Sequence, residues 1–374
     1  MIRITRGNMF DSQVQTLVNP VNCVGVMGKG LALQFKKLFP EMYLDYQQRC
    51  SNNQVKPGEP YIYKGLTPPY IINFPTKDHW RSVSRLEDIV SGMEYLLQHY
   101  QEWGITSIAM PALGCGNGQL EWKEVGPLLY HYLQQMDVEV ELYAPDSSLS
   151  IEDLEKLAAR LADEKKGSAR EPNTRQRLPL GWIMLVEILY RLQQEPYHYP
   201  VGRTMFQKIA FAASREGIPT GLQFQKDSYG PFSPDLKETE TLLVNCRLLK
   251  EKSLGRMFHI EVGPAYAGLR EDVLPHYGKW NETIDKVVDL FMRVDTGQAE
   301  ITATILYSAD QLKKETEFPC ELDVLKEVME WKQRRRPPLK EDEVALSIRN
   351  LAALKWVQLK PSNDLPIQDE FYAN

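Results

Sequence analysis

Apolar and polar positions over residues 1–145 alternate between two periods. Short apolar runs at 2–5, 16–19, 61–64, 70–74, 107–110 and 138–143 have the length and composition of strands. Between them, apolar residues recur every three or four positions over 31–39, 42–49, 86–100 and 125–134, the period of a helix with one buried face. Leu86, Ile89, Val90, Met93, Leu96 and Leu97 make the clearest such series. The alternation predicts an α/β fold, a mixed or mostly parallel sheet covered by helices, with 61–64 and 70–74 as a strand pair. Ligands of such sheets collect beyond the carboxyl ends of the strands.

Helical spacing resumes at 151–162 through Leu154, Leu157 and Leu161, and the polar stretch 164–177, with its Gly, Ser, Pro and Asn, reads as a linker. Further on, helices are predicted at 182–193, 205–216, 236–249 and 342–354, and strand-like runs at 222–226, 257–262 and 356–359. The expected division is therefore a first domain at 1–150, a helix and linker at 151–177, a second α+β, mainly helical domain at 178–360, and a loose tail at 361–374.

At the end of the second predicted strand the chain reads Val18-Asn19-Pro20-Val21-Asn22-Cys23-Val24-Gly25-Val26-Met27-Gly28-Lys29-Gly30-Leu31-Ala32. Gly28 and Gly30 let backbone N–H groups converge without side chains in the way, and the helix that follows adds its positive end, so the turn suits a phosphate. The spacing is G-x-x-G-x-G, which departs from the dinucleotide fingerprint, and Lys29 is followed by glycine where a P-loop has Ser or Thr. A second loop, Gly114-Cys115-Gly116-Asn117-Gly118, follows the strand at 107–110. Two glycine loops at the ends of strands in one sheet suit a pyrophosphate held from both sides.

Composition narrows the field. The chain has 374 residues, 43% hydrophobic, enough for two domains with their own cores. Its net charge of −6 is poor footing for a broad basic grip on nucleic acid, so any nucleic acid would be held over a small part. Five cysteines without C-x-x-C spacing and six scattered histidines argue for reduced thiols in a cytoplasmic protein, and against a metal site or cofactor built on them. No apolar run approaches the length of a membrane span, so a membrane partner is not expected.

With these motifs, the first 150 residues resemble the macrodomain family, which binds ADP-ribose. Gly7-Asn8-Met9, Val18 to Asn22, Gly28 to Ala32 and Pro111 to Gly118 are similar to its four pocket segments. The resemblance implies that Asn8 and Met9 border the adenine, Val21 and Asn22 the distal ribose, and Gly28, Lys29, Gly30 and Leu31 with Gly114, Cys115, Gly116, Asn117 and Gly118 the phosphates. Gln34, one turn into the helix, is placed to reach in. Asn8 stands where most members have an aspartate, which loosens the expected hold on the base. Gly118 stands where a related lysine-dependent hydrolase has a catalytic aspartate, so a mechanism through that carboxylate is excluded.

Residues 73–81, 113–118 and 120–122 are similar to the branch whose members are antitoxins of DarT-like, DNA-modifying toxins. Members of that branch use a lysine matching Lys77 for catalysis, and Lys77 follows a strand end and Pro75, beside the proposed pocket. Breaking a bond between a base nitrogen and the anomeric carbon of ribose builds positive charge on the carbon and negative charge on the departing base. A lysine serves either as nucleophile or as a cation beside that base. Asp78 and His79 read as loop residues, and Cys115 as a small residue without a histidine partner.

In the second half, Tyr229-Gly230-Pro231-Phe232-Ser233 resembles an element of winged-helix-like antitoxin domains. Residues 261–330 carry 15 Asp or Glu against 7 Lys or Arg. Such a run is either a set of solvated helices or an acidic surface shaped for the basic DNA groove of a toxin. The expected function is an antitoxin that removes ADP-ribose from thymidine bases of single-stranded DNA and binds its cognate DarT-like toxin through the second domain. The alternatives are a hydrolase or a non-catalytic reader acting on ADP-ribosylated protein or a small ADP-ribose metabolite.

Overall fold

The computed structural model describes residues 1–145, 149–166, 178–254 and 257–367. Of the linker expected at 164–177, residues 164–166 instead extend the helix Ile151–Lys166, and 167–177 lie outside the described residues. Of the loose tail expected at 361–374, residues 361–367 are described and held, with Leu365 buried and the Ser362 N–H donating to Glu321 at 2.9 Å, and 368–374 lie outside the described residues. Two compact units are present, Met1–Asn173 and Thr174–Asn374.

The first unit is built on a six-stranded sheet in the order β1-β6-β5-β2-β4-β3, with β1 Ile2–Thr5, β2 Thr16–Asn22, β3 Tyr61–Tyr63, β4 Tyr70–Lys77, β5 Ser107–Pro111 and β6 Glu139–Tyr143. All pairings are parallel except β3 with β4 at one edge, so the sheet is mixed as the alternation predicted. On one face, α1 Gly30–Leu38 and α2 Pro40–Ser51 bury Phe35, Met42 and Tyr46 against Leu17, Val21 and Ile71. On the other, α3 Leu86–His99 and α4 Trp122–Leu133 bury Ile89, Met93, Leu96, Val125 and Leu129 against Val18, Ile72, Phe74 and Ile108. Consecutive strand residues thus feed two different cores, the expected use of the strand's period of two. A fifth helix, α5 Ile151–Lys166, packs on α4: Leu154 is fully buried, and Tyr130 donates to Glu155 at 2.8 Å.

Two features fix the sheet's register near the predicted loops. Inside it, the Asn19 amide donates to Asn73 Oδ1 at 2.9 Å, and the Asn73 amide donates to the Tyr61 hydroxyl at 3.1 Å, which links β2, β4 and β3. At its end, β2 pairs with β4 residue for residue as far as Val21 opposite Pro75; a bulge then passes over Thr76 and sets Asn22 opposite Lys77.

The second unit is mainly helical. Its elements are α6 Leu180–Gln194, α7 Arg203–Arg215, a small hairpin of β7 Gln225–Asp227 and β8 Gly230–Phe232, and α8 Leu236–Asn245. A longer hairpin of β9 Leu249–Leu254 and β10 Met257–Val262 follows, then α9 Tyr266–Tyr277, α10 Asn281–Met292, α11 Thr296–Leu312, α12 Glu321–Trp331 and α13 Glu341–Ala353. Helix α11 is central and packs on α7, α12 and α13. Three expectations are corrected. The helix expected over 236–249 stops at Asn245, because Arg247 takes a positive φ of 58° and turns the chain into β9. The strand expected at 222–226 is confined to Gln225–Asp227. The run 356–359 is no strand: Trp356 and Val357 are buried by packing, just after α13 ends with Lys355 in the left-handed region.

The Tyr229–Ser233 turn is fastened from below. Lys208 Nζ donates to the Pro231 carbonyl at 2.8 Å, Lys332 Nζ to the Ser228 carbonyl at 2.9 Å, and Gln207 exchanges two hydrogen bonds with Ser233. Gly230 sits at φ 92°, with Thr304 Oγ1 2.9 Å from where a Cβ would be. The acidic run 261–330 is also partly structural. Glu300 is buried against Lys332, Glu321 against Arg349, and Asp310, Asp285, Asp289, Glu261 and Glu327 have cationic partners, while Asp295 caps α11. Glu271, Asp272, Glu282, Glu315, Glu317, Asp323 and Glu330 are exposed, and they are what an acidic surface would consist of.

Candidate functional site

The loops that follow β2, β4 and β5 meet at the carboxyl ends of these adjacent strands, and the short segment after β1 lies on the same side of the sheet. After β2, Asn22 is buried and its side chain organises the loop: its amide donates to the Val26 carbonyl at 2.6 Å, and its Oδ1 accepts from the Val24 N–H at 3.0 Å. The Tyr46 hydroxyl donates to the Asn22 carbonyl at 2.8 Å and so ties that loop to α2. Val21 and Met27 are buried beneath it, while Gly28, Lys29 and Gly30 are exposed above. Gly30 begins α1 with φ 58°, and a Cβ on it would stand 3.0 Å from the Asn117 amide nitrogen. The two glycine loops are therefore in contact.

Lys77 closes β4 and is 9% exposed. Its Nζ donates to the Asn117 carbonyl at 3.1 Å and to the Ser82 carbonyl at 3.3 Å, so it bridges its own loop and the second glycine loop. The loop after β5 has no spare volume at its far end. A Cβ on Gly118 would fall 2.2 Å from Ser84 Oγ and 2.5 Å from the Gly114 carbonyl oxygen, so the backbone here admits no side chain, a carboxylate included. Gly116, by contrast, is exposed, with nothing within 4 Å of its Cβ position. After β1, Asn8 caps a short 3-10 turn, accepting from Phe10 N–H and donating to Asp11; Met9 is buried, and Phe10 meets Phe35 of α1 edge-on at 4.8 Å. Gln34 is exposed on α1.

Thiol chemistry has little support at this place. Burial and the Glu124 carboxylate push the Cys115 thiol up to about 12, and burial, with Cys50 and Asp78 adding to it, does the same for Cys23. Both are neutral thiols near pH 7. The second unit has an open cleft of about 390 Å³ lined by Arg215, Lys286, Asp310 and Trp356, but Arg215 is paired with Asp310 and Lys286 with Glu216. Both of these cations are thus committed to carboxylates.

Residues 18–129 match the family model of the Macro domain. The solved macrodomain of Thermus aquaticus DarG is 47% identical to this chain, covering 99% of its own length and 39% of this one, with a TM-score of 0.38. The first unit is a macro domain. The solved macrodomain of Mycobacterium tuberculosis DarG is 43% identical, again covering 99% of its own length and 39% of this chain, with a TM-score of 0.38. A Thermus aquaticus protein named DNA ADP-ribosyl glycohydrolase is 38% identical over 242 residues, which are 63% of this chain and 62% of that protein. The chain thus spans less than two thirds of that relative's length, yet the alignment is longer than the macro domain unit and takes in part of the second unit.

Within the macro domain, sequence reasoning missed Ser84, Ser82 and Tyr46, which hold Gly118, Lys77 and Asn22 in place. A serine pair between a polar loop and a helix carries no signal of its own. Asn19 and Asn73 did: an amide inside an apolar strand is buried with a partner or not at all. Among the described residues, no helix is long and apolar enough to cross a membrane.

Proposed function

We propose that the macro domain hydrolyses the N-glycosidic bond between ADP-ribose and a thymine base in DNA. The observation that carries this reading is Lys77, buried at a strand end with its Nζ fixed by a carbonyl of the second glycine loop. A pocket for reading ADP-ribose alone has no use for an amine held in that way. The two glycine loops supply N–H groups for the diphosphate, and Asn8 and Met9 border the adenine. Lys77 then stands beside the bond to be broken, where it either attacks the anomeric carbon or neutralises charge on the departing base.

The test uses the full chain and a single-stranded oligonucleotide with one ADP-ribosylated thymidine. Lys77→Ala should abolish release of ADP-ribose while calorimetry finds ADP-ribose bound about as tightly as before. Lys77→Arg keeps the charge and removes the nucleophile, so its activity separates the two roles. Full activity of Lys77→Ala would remove the lysine from the chemistry.

The second unit is assigned to a DNA ADP-ribosylating toxin, bound directly. The named activity of the Thermus relative and the reach of its alignment into this unit support the pairing, as does a Thermosipho africanus relative, 39% identical over 162 residues, named as a fusion of a DNA ADP-ribosyl transferase with a DNA ADP-ribosyl glycohydrolase. The exposed acids between Glu271 and Glu330 offer a surface for a basic groove. Co-purification of residues 174–374 with a co-expressed toxin, weakened by salt, is the expected result; no complex at moderate salt would reduce the assignment to the hydrolase alone.

A further inference from the structure

Directly after Lys77 the chain makes a four-residue excursion and returns at Ser82, whose carbonyl accepts from Lys77 Nζ at 3.3 Å. Both ends of the excursion are therefore tied to the lysine. Three Cα steps keep Trp80 within about 11 Å of it. The loop is braced throughout. The Cys23 N–H donates to the Asp78 carbonyl at 3.0 Å, the His79 N–H to Asp78 Oδ1 at 2.7 Å, the Arg81 N–H to His79 Nδ1 at 3.1 Å and the Ser82 N–H to the His79 carbonyl at 3.0 Å.

What this bracing holds up is a planar stack. The His79 ring, an acceptor at Nδ1, stacks on Trp80 with centroids 5.5 Å apart and planes 27° apart, and the Arg81 guanidinium lies 4.5 Å from the centre of the indole. Trp80 is 44% exposed although two apolar cores lie in the same unit. An indole kept out of a core, on a loop with no freedom to fold it inward, is a surface for another flat apolar group.

We propose that His79, Trp80 and Arg81 form a platform for single-stranded DNA: a base flanking the modified nucleotide stacks on the indole, and Arg81 swings from it to a backbone phosphate. The inference rests on the hydrolase reading for the identity of the modified nucleotide. Chemistry selects the single strand, because the bases of a duplex already cover each other's faces whereas an unpaired base offers its own. It also reconciles DNA as substrate with a chain of net charge −6, since stacking needs no broad basic surface. The pocket holds the ADP-ribose and the platform holds the strand, so the glycosidic bond is fixed from both ends.

Two measurements on the full chain test this. The first compares hydrolysis of ADP-ribosyl-thymidine with that of a ten-nucleotide single strand containing the same group. Trp80→Ala should raise KM for the strand about tenfold, the size of one lost stacked base, leave kcat as it is, and leave the nucleoside reaction unchanged; Trp80→Phe should restore most of the loss. Equal losses on both substrates would mean that Trp80 only positions the Lys77 loop, and no loss on the strand would mean that it does nothing; either overturns the platform. The second is anisotropy of labelled, unmodified decathymidylate, which needs no catalysis. Binding weakened about tenfold by Trp80→Ala supports the platform even if the wild-type chain releases no ADP-ribose, an outcome that would defeat the hydrolase reading alone. Binding that is absent, or the same in both proteins, overturns it.

Discussion

Replacing Gly118 with alanine adds one methyl group at the point where the second glycine loop has least room. The new Cβ would meet Ser84 Oγ at 2.2 Å, the Gly114 carbonyl oxygen at 2.5 Å and Ser84 Cβ at 2.8 Å, all closer than the 3.0 Å that real Cβ atoms respect. The serine hydroxyl can rotate away, but the carbonyl belongs to the backbone, so the loop has to move by about 0.5 Å or more. Asn117, the neighbouring residue, accepts from Lys77 Nζ at 3.1 Å, and a shift of that size stretches the bond to about 3.6 Å, beyond hydrogen-bonding range. Overpacking of this kind costs about 1–3 kcal/mol, or about 3–9 °C in the melting temperature of a unit of this size. Loss of the lysine's positioning should lower kcat about tenfold. Gly116→Ala is the control: nothing lies within 4 Å of its Cβ, and its stability should stay within about 0.5 kcal/mol of the parent. Adding Ser84→Gly to Gly118→Ala removes two of the three clashes and should recover part of the loss. Calorimetric melting and release of ADP-ribose from the modified oligonucleotide read both effects. If Gly118→Ala melts and turns over like Gly116→Ala, the packing argument fails, and with it the claim that this loop sets the position of Lys77.

Other outcomes follow from single features. Gly116→Glu projects into open space beside the proposed diphosphate, so melting should be unchanged while ADP-ribose binding, followed by calorimetry, falls at least a hundredfold; unimpaired binding would move the phosphates elsewhere. A fragment ending at residue 150 lacks α5 and uncovers the face of α4 on which Leu154 packs, so it should melt several degrees below a fragment ending at residue 173. Burial, and then the Glu251 carboxylate, hold the Glu240 carboxyl well above its ordinary range despite Arg203. Because the folded value is the higher one, its contribution is full below the ordinary value of about 4.5 and is lost as pH rises through the folded value. Glu240→Gln, neutral at every pH, should therefore match the parent near pH 4.5 and melt about 3 °C above it at pH 8.5; a gap that does not grow with pH would refute the assignment. In cells challenged with the cognate toxin, full-length Lys77→Ala should still protect at high expression, by occupying the toxin, whereas the macro domain alone should lose all protection with that change.

Much of the first unit was legible because its signals are local. Two-residue and 3.6-residue periods place Ile72, Phe74, Ile89 and Met93 in a core without reference to anything distant, and the glycine pairs mark where the backbone is bare. What stayed hidden depends on partners far along the chain. Nothing near Ser84 shows that it abuts Gly118, and Arg247 ends a helix with a positive φ, a conformation for which sequence patterns look to Gly or Asn. Charge counted along 261–330 does not reveal that Glu300 and Glu321 are buried against Lys332 and Arg349. The apolar Trp356 and Val357 imitate a strand, since burial by packing and burial in a sheet leave the same residues behind.

The bulge at the end of β4 makes the site vulnerable to a kind of change that substitution scans do not sample. Side chains alternate along a strand, so the side on which Lys77 projects depends on how many residues separate it from the paired part of the sheet. Thr76, passed over in the pairing, is the residue that sets this count. Without it the lysine would still stand opposite Asn22, with every upstream pair from Thr16 and Tyr70 onward intact, but it would project toward the opposite side. A one-codon deletion there should leave the fold standing and yet turn Lys77 away from the Asn117 and Ser82 carbonyls, so the placement of the lysine is encoded in the parity of a strand as much as in its identity.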